Sequence, residues 1–318
     1  MPINVLITGG AGFIGSHLCR YLWEERRSNE IRILDNLSSG SIDNLLSQRR
    51  IEFIKGDICN HEDLSDVMIG IDTVFHLAAQ TSVRQSWQTP EETMRINVSG
   101  TANVLLAARR YGVRRVVIAS SAAVYGPQPS FPIAETALLQ PCSPYGASKM
   151  IAERQAQESY QSGGPDYVCL RLFNIYGPSA AGNRSPLSLI PHAIEACATN
   201  RVLPVDGSGL QTRDFVHVAD VVRALWNAAL AIRKPQSQSP VNIGSGVETS
   251  VLEIIKMVEQ ISGATIDRHF RHTNDGGLLR SVADLRNCQA SFDWQPKISL
   301  EEGLKEMWAV AAEAVKVR

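Results

Sequence analysis

The chain has 318 residues, enough to bury a sizeable core in one large domain or two intimate ones. Its 31 Lys+Arg against 32 Asp+Glu leave a formal net charge of −1, which argues against a nucleic-acid surface held by long-range positive potential. Six scattered cysteines without CxxC spacing argue against a disulfide framework or zinc site. No apolar run approaches the ~20 residues of a membrane span and Met1-Pro2 opens no signal peptide, so a soluble, cytoplasmic protein is expected.

Taken in chain order, short β-branched runs alternate with amphipathic stretches through the first half. Strands are expected at Ile3–Thr8, Ile31–Asp35, Ile51–Lys55, Thr73–Leu77, Arg115–Ser120 and Tyr167–Phe173, with helices near 13–26, 61–69, 91–111 and 145–162. Apolar runs without strict alternation suit strands covered on both faces, and the strand–helix alternation implies an α/β fold with a doubly wound parallel sheet. Beyond Tyr176 the pattern loosens. Pro, Gly and Ser cluster through 177–188 and 234–240, helices are expected near 187–199, 217–232, 249–262 and 299–315, and Val241-Asn242-Ile243 reads as one more strand. The expected division is a main domain over 1–175 with a return segment at 216–243, and a smaller mixed α/β C-terminal lobe from 176–215 and 244–318. Four basic pairs, Arg26-Arg27, Arg49-Arg50, Arg109-Arg110 and Arg114-Arg115, are expected where helices end, as complements to the helix dipole.

The first strand runs into Gly9-Gly10-Ala11-Gly12-Phe13-Ile14-Gly15 and then a helix beginning at Ser16-His17-Leu18. Such glycines let the chain turn sharply and let backbone N–H groups approach a pyrophosphate at the helix N-terminus, the device of Rossmann-type dinucleotide sites. The string alone is a weak signal. It gains force because it follows a strand, opens a helix and is answered by Asp35 at the close of strand two. A carboxylate there accepts hydrogen bonds from ribose hydroxyls and repels a 2′-phosphate. The following Asn36-Leu37-Ser38-Ser39 offers no cation to that phosphate, so NAD is favoured over NADP. Asp57, after strand three, is open between two readings: a contact to the adenine amino group, or a helix cap.

Tyr145-Gly146-Ala147-Ser148-Lys149 places a phenol and an ammonium one helical turn apart on the same face. A phenol titrates near ~10 in isolation. A neighbouring ammonium and a cationic nicotinamide favour the phenolate, which lets Tyr145 take a proton from a sugar hydroxyl. The motif follows Ser120-Ser121-Ala122-Ala123-Val124-Tyr125-Gly126 at a strand end, where such folds hold their ligands, and Ser121 is placed to bridge the substrate hydroxyl to Tyr145.

With these residues in view, the chain resembles the extended short-chain dehydrogenase/reductases, and among them the NAD-dependent sugar-nucleotide epimerases and dehydratases. The resemblance runs through Thr8–Gly15, Asp35–Gly40, Phe75–Gln80, Asn97–Thr101, Ser120–Gly126, Tyr145–Lys149, Arg171–Pro178, Gln211–Val218, Ser281–Asp284 and Trp294–Leu304. It implies a Ser121, Tyr145, Lys149 catalytic set and an NAD that stays bound through the cycle. The implied cofactor contacts are Gly9, Gly12, Phe13, Ile14, Gly15, Asp35, Asn36, Ser39, Gly40, Asp57, Ile58, Leu77, Ala78, Ala79, Tyr145 and Lys149. It further implies that Asn174 and Arg213 touch the nucleotide diphosphate, and that helices 91–111 and 145–162 form a homodimer bundle. The implied reaction removes the C4 hydroxyl proton and C4 hydride to give a 4-keto sugar, which an epimerase turns over and reduces on the other face.

Within this resemblance the leading expectation is a UDP-hexose 4-epimerase. The rivals are a UDP-glucuronate 4-epimerase, a sugar-nucleotide dehydratase, and a regulator that binds dinucleotide without turnover. Dehydratases of the family carry an Asp-Glu pair directly after the strand-five hydroxyl residue, where this chain has Ala122-Ala123. Ser281 aligns with a position gating the pocket beside the sugar C2 substituent, so an N-acetyl group is expected to fit. Arg84 and Arg184 are candidates to pair with a uronate carboxylate, while Asn174 follows the hexose epimerases. The family's Arg-x-Gly-Asp has become Asn274-Asp275-Gly276-Gly277, with Arg268, Arg271 and Arg280 as candidate replacements for the missing arginine. His17, His76, His217 and Asp220 are read as packing or capping groups, Trp226, Trp294 and Trp308 as core, and no metal site is expected.

Overall fold

In the computed structural model the described residues are 3–45, 51–179, 189–231, 240–271 and 278–316. Six strands, β1 (Ile3–Thr8), β2 (Ser28–Asp35), β3 (Glu52–Lys55), β4 (Thr73–His76), β5 (Arg115–Ser121) and β6 (Asp166–Leu172), alternate with helices. The helices are α1 (Phe13–Glu24), α2 (His61–Val67), α3 (Val83–Gln88), α4 (Pro90–Met94), α5 (Thr101–Arg110) and α6 (Pro144–Gln161). The chain continues through β7 (Asn174–Tyr176), α7 (Leu189–Thr199), β8 (Leu203–Asp206), β9 (Thr212–His217), α8 (Val218–Leu230) and β10 (Val241–Ile243). It ends with β11 (Glu248–Ser250), α9 (Val251–Ser262), β12 (Arg268–Arg271), α10 (Arg286–Phe292) and α11 (Leu300–Lys316).

Seven strands form one sheet in the order β10-β6-β5-β4-β1-β2-β3, every neighbour parallel. The doubly wound α/β sheet expected from the alternation is therefore present. The order reverses between β1 and β4, and the carboxyl ends of strands at such a switch point are where open α/β sheets bind ligands. Both faces are covered, which is why the strands read as continuous apolar runs. One face packs Val5, Ile7, Ile33, Phe75 and Val117 against α1 and α8, and the other packs Leu6, Leu34, Val74, Val116 and Ile118 against α2, α5 and α6.

The smaller lobe is mixed, as expected: a three-stranded sheet β11-β9-β7, a parallel pair β12-β8, and a separate core of α7, α9 and α11 around Ile190, Ile254, Ile255 and Leu304. Its short strands were not expected from the sequence. β7 and β11 are three residues each, too short for a period, and all four residues of β12 are exposed. β2 begins at Ser28 rather than Ile31, because polar Ser28-Asn29-Glu30 still pairs alongside β1. The helix expected over 91–111 is interrupted at Arg95–Gly100 by a π turn, which buries Asn97.

The basic pairs need one correction. Arg109-Arg110 closes α5 and Arg26-Arg27 follows α1, but Arg115 lies in β5. Its guanidinium pairs with Asp166 at 2.6 Å and donates to the carbonyls of Ala229 and Ala231, so it caps the C-terminus of α8, an element distant in sequence. Arg49-Arg50 lies outside the described residues. Trp226 and Trp294 are core and Trp308 packs partly buried in the lobe.

Candidate active site

The switch point is built by loops that close on one another. Gly9 follows β1 at φ +74°, and a Cβ there would sit 2.6 Å from the Ala78 amide nitrogen. Only glycine lets the first loop lie against Leu77-Ala78-Ala79 at the end of β4. Gly12 caps α1 without a side-chain bond, so the helix start at Phe13-Ile14-Gly15 offers backbone donors and the positive end of its dipole. Asp35 is buried at the end of β2, with Oδ2 accepting from the Ala11 N–H at 2.9 Å and Oδ1 from the Leu37 N–H at 2.8 Å. Asn36 turns the chain by accepting from Ser38 N–H at 3.0 Å. The loop then returns through Ser39 to Gly40, whose missing Cβ would lie 2.6 Å from the Ala11 carbonyl carbon. This cradle, backed among the described residues by the Asp35 carboxylate, fits a dinucleotide with a free ribose.

The helix-cap reading of Asp57 falls, because Asn60 caps α2. Asp57 instead turns its own loop, accepting from the Cys59 N–H at 2.8 Å with Asn36 Nδ2 at 3.4 Å, beside buried Ile58. It thereby joins the loops after β2 and β3.

At the next strand end Ser121 accepts from the Ala123 N–H at 3.1 Å. Ser143 caps α6 by accepting from Gly146 N–H at 3.0 Å, and Pro144 fits the first turn, which places Tyr145 inside that turn. Tyr145 is buried and hydrogen-bonded to Ser121. Burial pushes its phenol up and the Ser121 bond pulls it back in part, so the protein's own groups favour the protonated form. Lys149 is also buried. Its Nζ donates to the Ala119 carbonyl at 2.8 Å and lies 6.0 Å from the Tyr145 ring centre. Burial draws its ammonium down to about 8. The structure thus brings Ser121, Tyr145 and Lys149 together across β5 and α6.

His76 is a packing group, as expected. Its Nδ1 meets Thr8 Oγ1 at 2.8 Å and its Nε2 meets Thr101 Oγ1 at 2.9 Å. The Thr101 hydroxyl already donates to the Asn97 carbonyl, so Nε2 carries the proton. Burial, then the Lys149 charge, hold this imidazole down to about 3, hence neutral. Sequence spacing assigned no role to Asn97. From the π turn its side chain accepts from Gln80 N–H at 2.8 Å and donates to Ser148 Oγ at 2.9 Å, while Ser148 donates to the Tyr145 carbonyl at 2.7 Å. Asn97 therefore positions the first turn of α6. Its sequence signal is its place in the Asn97–Thr101 stretch that carries the family resemblance.

The substrate-side residues meet less closely. Asn174 is exposed at the start of β7 and Arg213 lies on β9, the next strand of the small sheet. Arg213 is half-buried and donates from Nη1 to the Thr212 carbonyl at 2.7 Å; burial lowers its pKa. Asp214 is fully buried and accepts from Gly246 N–H and Ala283 N–H, each at 3.0 Å, which ties the segment carrying buried Ser281 to β9. The three replacement arginines all have partners. Arg280 forms a two-bond pair with Glu248 at 2.8 and 2.7 Å and covers the Phe131 ring at 4.4 Å, while Arg268 pairs with Glu259 and Arg271 with Asp206. Arg84 is exposed on α3, and Arg184 and Asn274–Gly277 lie outside the described residues. His217 caps α8 by accepting from Ala219 N–H at 3.3 Å. Asp220 accepts from Lys297 and Ile298 N–H at 3.0 Å, so neither forms a catalytic dyad. His17 packs edge-on against Phe13. Among the described residues no group of three or more His, Cys, Asp or Glu side chains could hold a metal, and no helix is long and apolar enough to cross a membrane.

The sequence model of the NAD dependent epimerase/dehydratase family matches residues 5–244. The chain belongs to this family. The UDP-glucose 4-epimerase of Mycolicibacterium smegmatis is 35% identical over 310 residues, covering 95% of this chain and 96% of that protein. Among solved structures, a UDP-N-acetylglucosamine 4-epimerase from Methanobrevibacter ruminantium, in complex with UDP-N-acetylmuramic acid, superimposes with TM-score 0.90. It is 31% identical and covers 98% of this chain and 99% of its own. A dTDP-glucose 4,6-dehydratase from Streptomyces venezuelae with NAD bound superimposes equally, at TM-score 0.90 and 30% identity over 98% and 97% of the two chains. As a member of the epimerase/dehydratase family the protein is an NAD-dependent enzyme of the epimerase type. The family fold alone does not separate inversion from water loss, because both kinds of relative superimpose on it equally well.

Proposed function

We propose that the protein inverts C4 of a UDP-hexose, UDP-glucose/UDP-galactose or their N-acetyl forms, through a transient 4-keto sugar. The observation that carries this is the pair Ala122-Ala123 in the short turn directly after Ser121. Expelling the C6 hydroxyl needs a general acid at the leaving oxygen and a base at C5. Methyl groups at those two positions supply neither. NAD in the Gly9–Asp35 cradle supplies a hydride acceptor that can give the hydride back. The chain's own part is proton handling: Ser121 orients the sugar hydroxyl, Tyr145 Oη takes and returns its proton, and Lys149 supplies the charge that favours the phenolate. Arg213 and Asn174 are proposed to hold the diphosphate, so that the keto sugar can turn about its phosphate linkage.

The test is a panel of UDP- and dTDP-sugars followed by NMR and mass spectrometry of the products. The expected product has the substrate's mass and inverted C4. A product lighter by one water overturns the reading in favour of a dehydratase. Efficient use of UDP-glucuronate overturns the preferred sugar.

Ser281 is proposed to leave room for an N-acetyl group at C2. Ser281→Tyr is then expected to lower kcat/KM for UDP-N-acetylglucosamine by roughly tenfold or more while sparing UDP-glucose. Equal loss with both sugars contradicts the gating role.

The cofactor domain is proposed to comprise 1–175 with 216–243, and the substrate lobe the rest. A homodimer is proposed to pair α5 and α6, which expose Leu106 and Ile151. Six cysteines, none of them in a disulfide, suit a reducing cytoplasm.

A further inference from the structure

Behind Tyr145 and Lys149 lies a second polar layer that the proposed chemistry does not use. Glu153, one turn beyond Lys149 on α6, is buried, and so is Arg171 on β6. Glu153 Oε1 accepts from Ser120 Oγ at 2.5 Å and from Arg171 Nε at 2.9 Å, and Oε2 accepts from Arg171 Nη2 at 2.7 Å. Arg171 Nη1 donates to the Tyr125 hydroxyl at 3.0 Å and the Glu135 carbonyl at 3.1 Å, and its guanidinium lies 4.8 Å from the Tyr125 ring centre. Tyr125 in turn donates to Asn242 Oδ1 at 2.6 Å. A buried ion pair is a poor source of net stability, because desolvation of both charges offsets their attraction. Its placement supplies a different role.

Three successive residues at the end of β5 are each gripped by a residue of α6 one turn apart. Ser121 meets Tyr145, the Ala119 carbonyl meets Lys149, and the Ser120 hydroxyl meets Glu153. The registry of strand and helix sets the relation between Ser121 and Tyr145, and Glu153 is the member of the three that neither touches substrate nor donates a proton. We propose that Glu153, paired with and oriented by Arg171, is a positioning residue that locks the end of β5 onto α6 and keeps Lys149 charged. The proposal rests on reading Tyr145 and Lys149 as the proton-transfer pair.

The groups facing Lys149 are Tyr145 and Glu153 on α6, His76 on β4 and Cys169 on β6. Burial pulls the ammonium down to about 8, with Cys169 and Glu153 opposing it. His76 is neutral, and Glu153 is the carboxylate acting on Lys149. Without that carboxylate the ammonium is lost at lower pH. Lys149 is charged below its midpoint, so the alkaline limb of turnover must move down with it.

The test is an NMR titration of lysine Cε carbons in the NAD-bound protein, with the Lys149 signal assigned by Lys149→Met, alongside kcat against pH on UDP-glucose. In Glu153→Gln the Lys149 midpoint is expected to fall by about one pH unit or more, and the alkaline limb with it. Removing one partner of a buried pair can unfold the chain. Glu153→Gln/Arg171→Met removes both charges of the ion pair together and is expected to fold, with the midpoint still below wild type. An unmoved midpoint in either folded variant overturns the proposal. Undiminished turnover by Lys149→Met overturns the reading of the proton-transfer pair instead, so the two failures are distinguishable.

Discussion

Tyr145→Phe is expected to lower turnover by about 10²–10⁴-fold while the protein keeps its fold and its bound NAD. The substitution removes one oxygen. The ring stays in its buried place in the first turn of α6, and the turn itself is held by Ser143, Pro144 and the Asn97–Ser148 link, none of which uses the phenol. The bond lost is the one to Ser121. Deleting a buried hydroxyl together with one half of a hydrogen bond leaves Ser121 free to keep its contact with the Ala123 N–H, so the stability cost is about 1 kcal/mol. Proton removal from the sugar hydroxyl then has no base. Turnover and bound cofactor measured on the same preparation check this. Activity within a few-fold of wild type contradicts the role given to Tyr145.

Asp35→Ala is expected to weaken NAD by roughly 10–100-fold, the range that follows from losing hydrogen bonds to a charged acceptor. Discrimination against NADP is expected to fall with it, because the negative charge facing the 2′ position is gone. The carboxylate does two jobs. It is proposed to present charge to the ribose, and through the Ala11 and Leu37 N–H groups it ties the glycine loop to the end of β2. Asp35→Asn separates them, since the amide keeps an acceptor and shape but loses the charge. It is expected to retain much of the loop geometry yet tolerate NADP. Competitive titration of both cofactors measures this, and an unchanged NAD/NADP preference in both variants removes Asp35 from the ribose site.

Much of the site was legible because its signals are local. Gly9–Gly15 follows a strand and opens a helix within a dozen residues, and Tyr145 and Lys149 share a helix face by spacing alone. What stayed hidden depends on partners distant in the chain. Arg171 carries no mark of Glu153, nor Arg280 of Glu248, until the fold joins them. Arg115 reads as a helix-end cation, yet the helix end it serves is more than a hundred residues away. Asn97 is hidden for a further reason: the π turn rotates it inward, off the period that a regular helix would give. Four strands of the small lobe, β7, β8, β11 and β12, escaped because three or four residues carry no period, and β8 contains Pro204, which speaks against a strand. The parallel, doubly wound character of the main sheet, by contrast, follows from the strand–helix alternation of the first half of the chain.

The most direct test of C4 inversion uses UDP-glucose carrying deuterium at C4. The enzyme is incubated with it in ordinary water, and the products are followed by NMR and mass spectrometry. The account predicts UDP-galactose of unchanged mass with the deuterium still on C4, since the proton exchanged through Tyr145 belongs to the hydroxyl and not to carbon. Loss of deuterium to solvent, or a product lighter by one water, contradicts it.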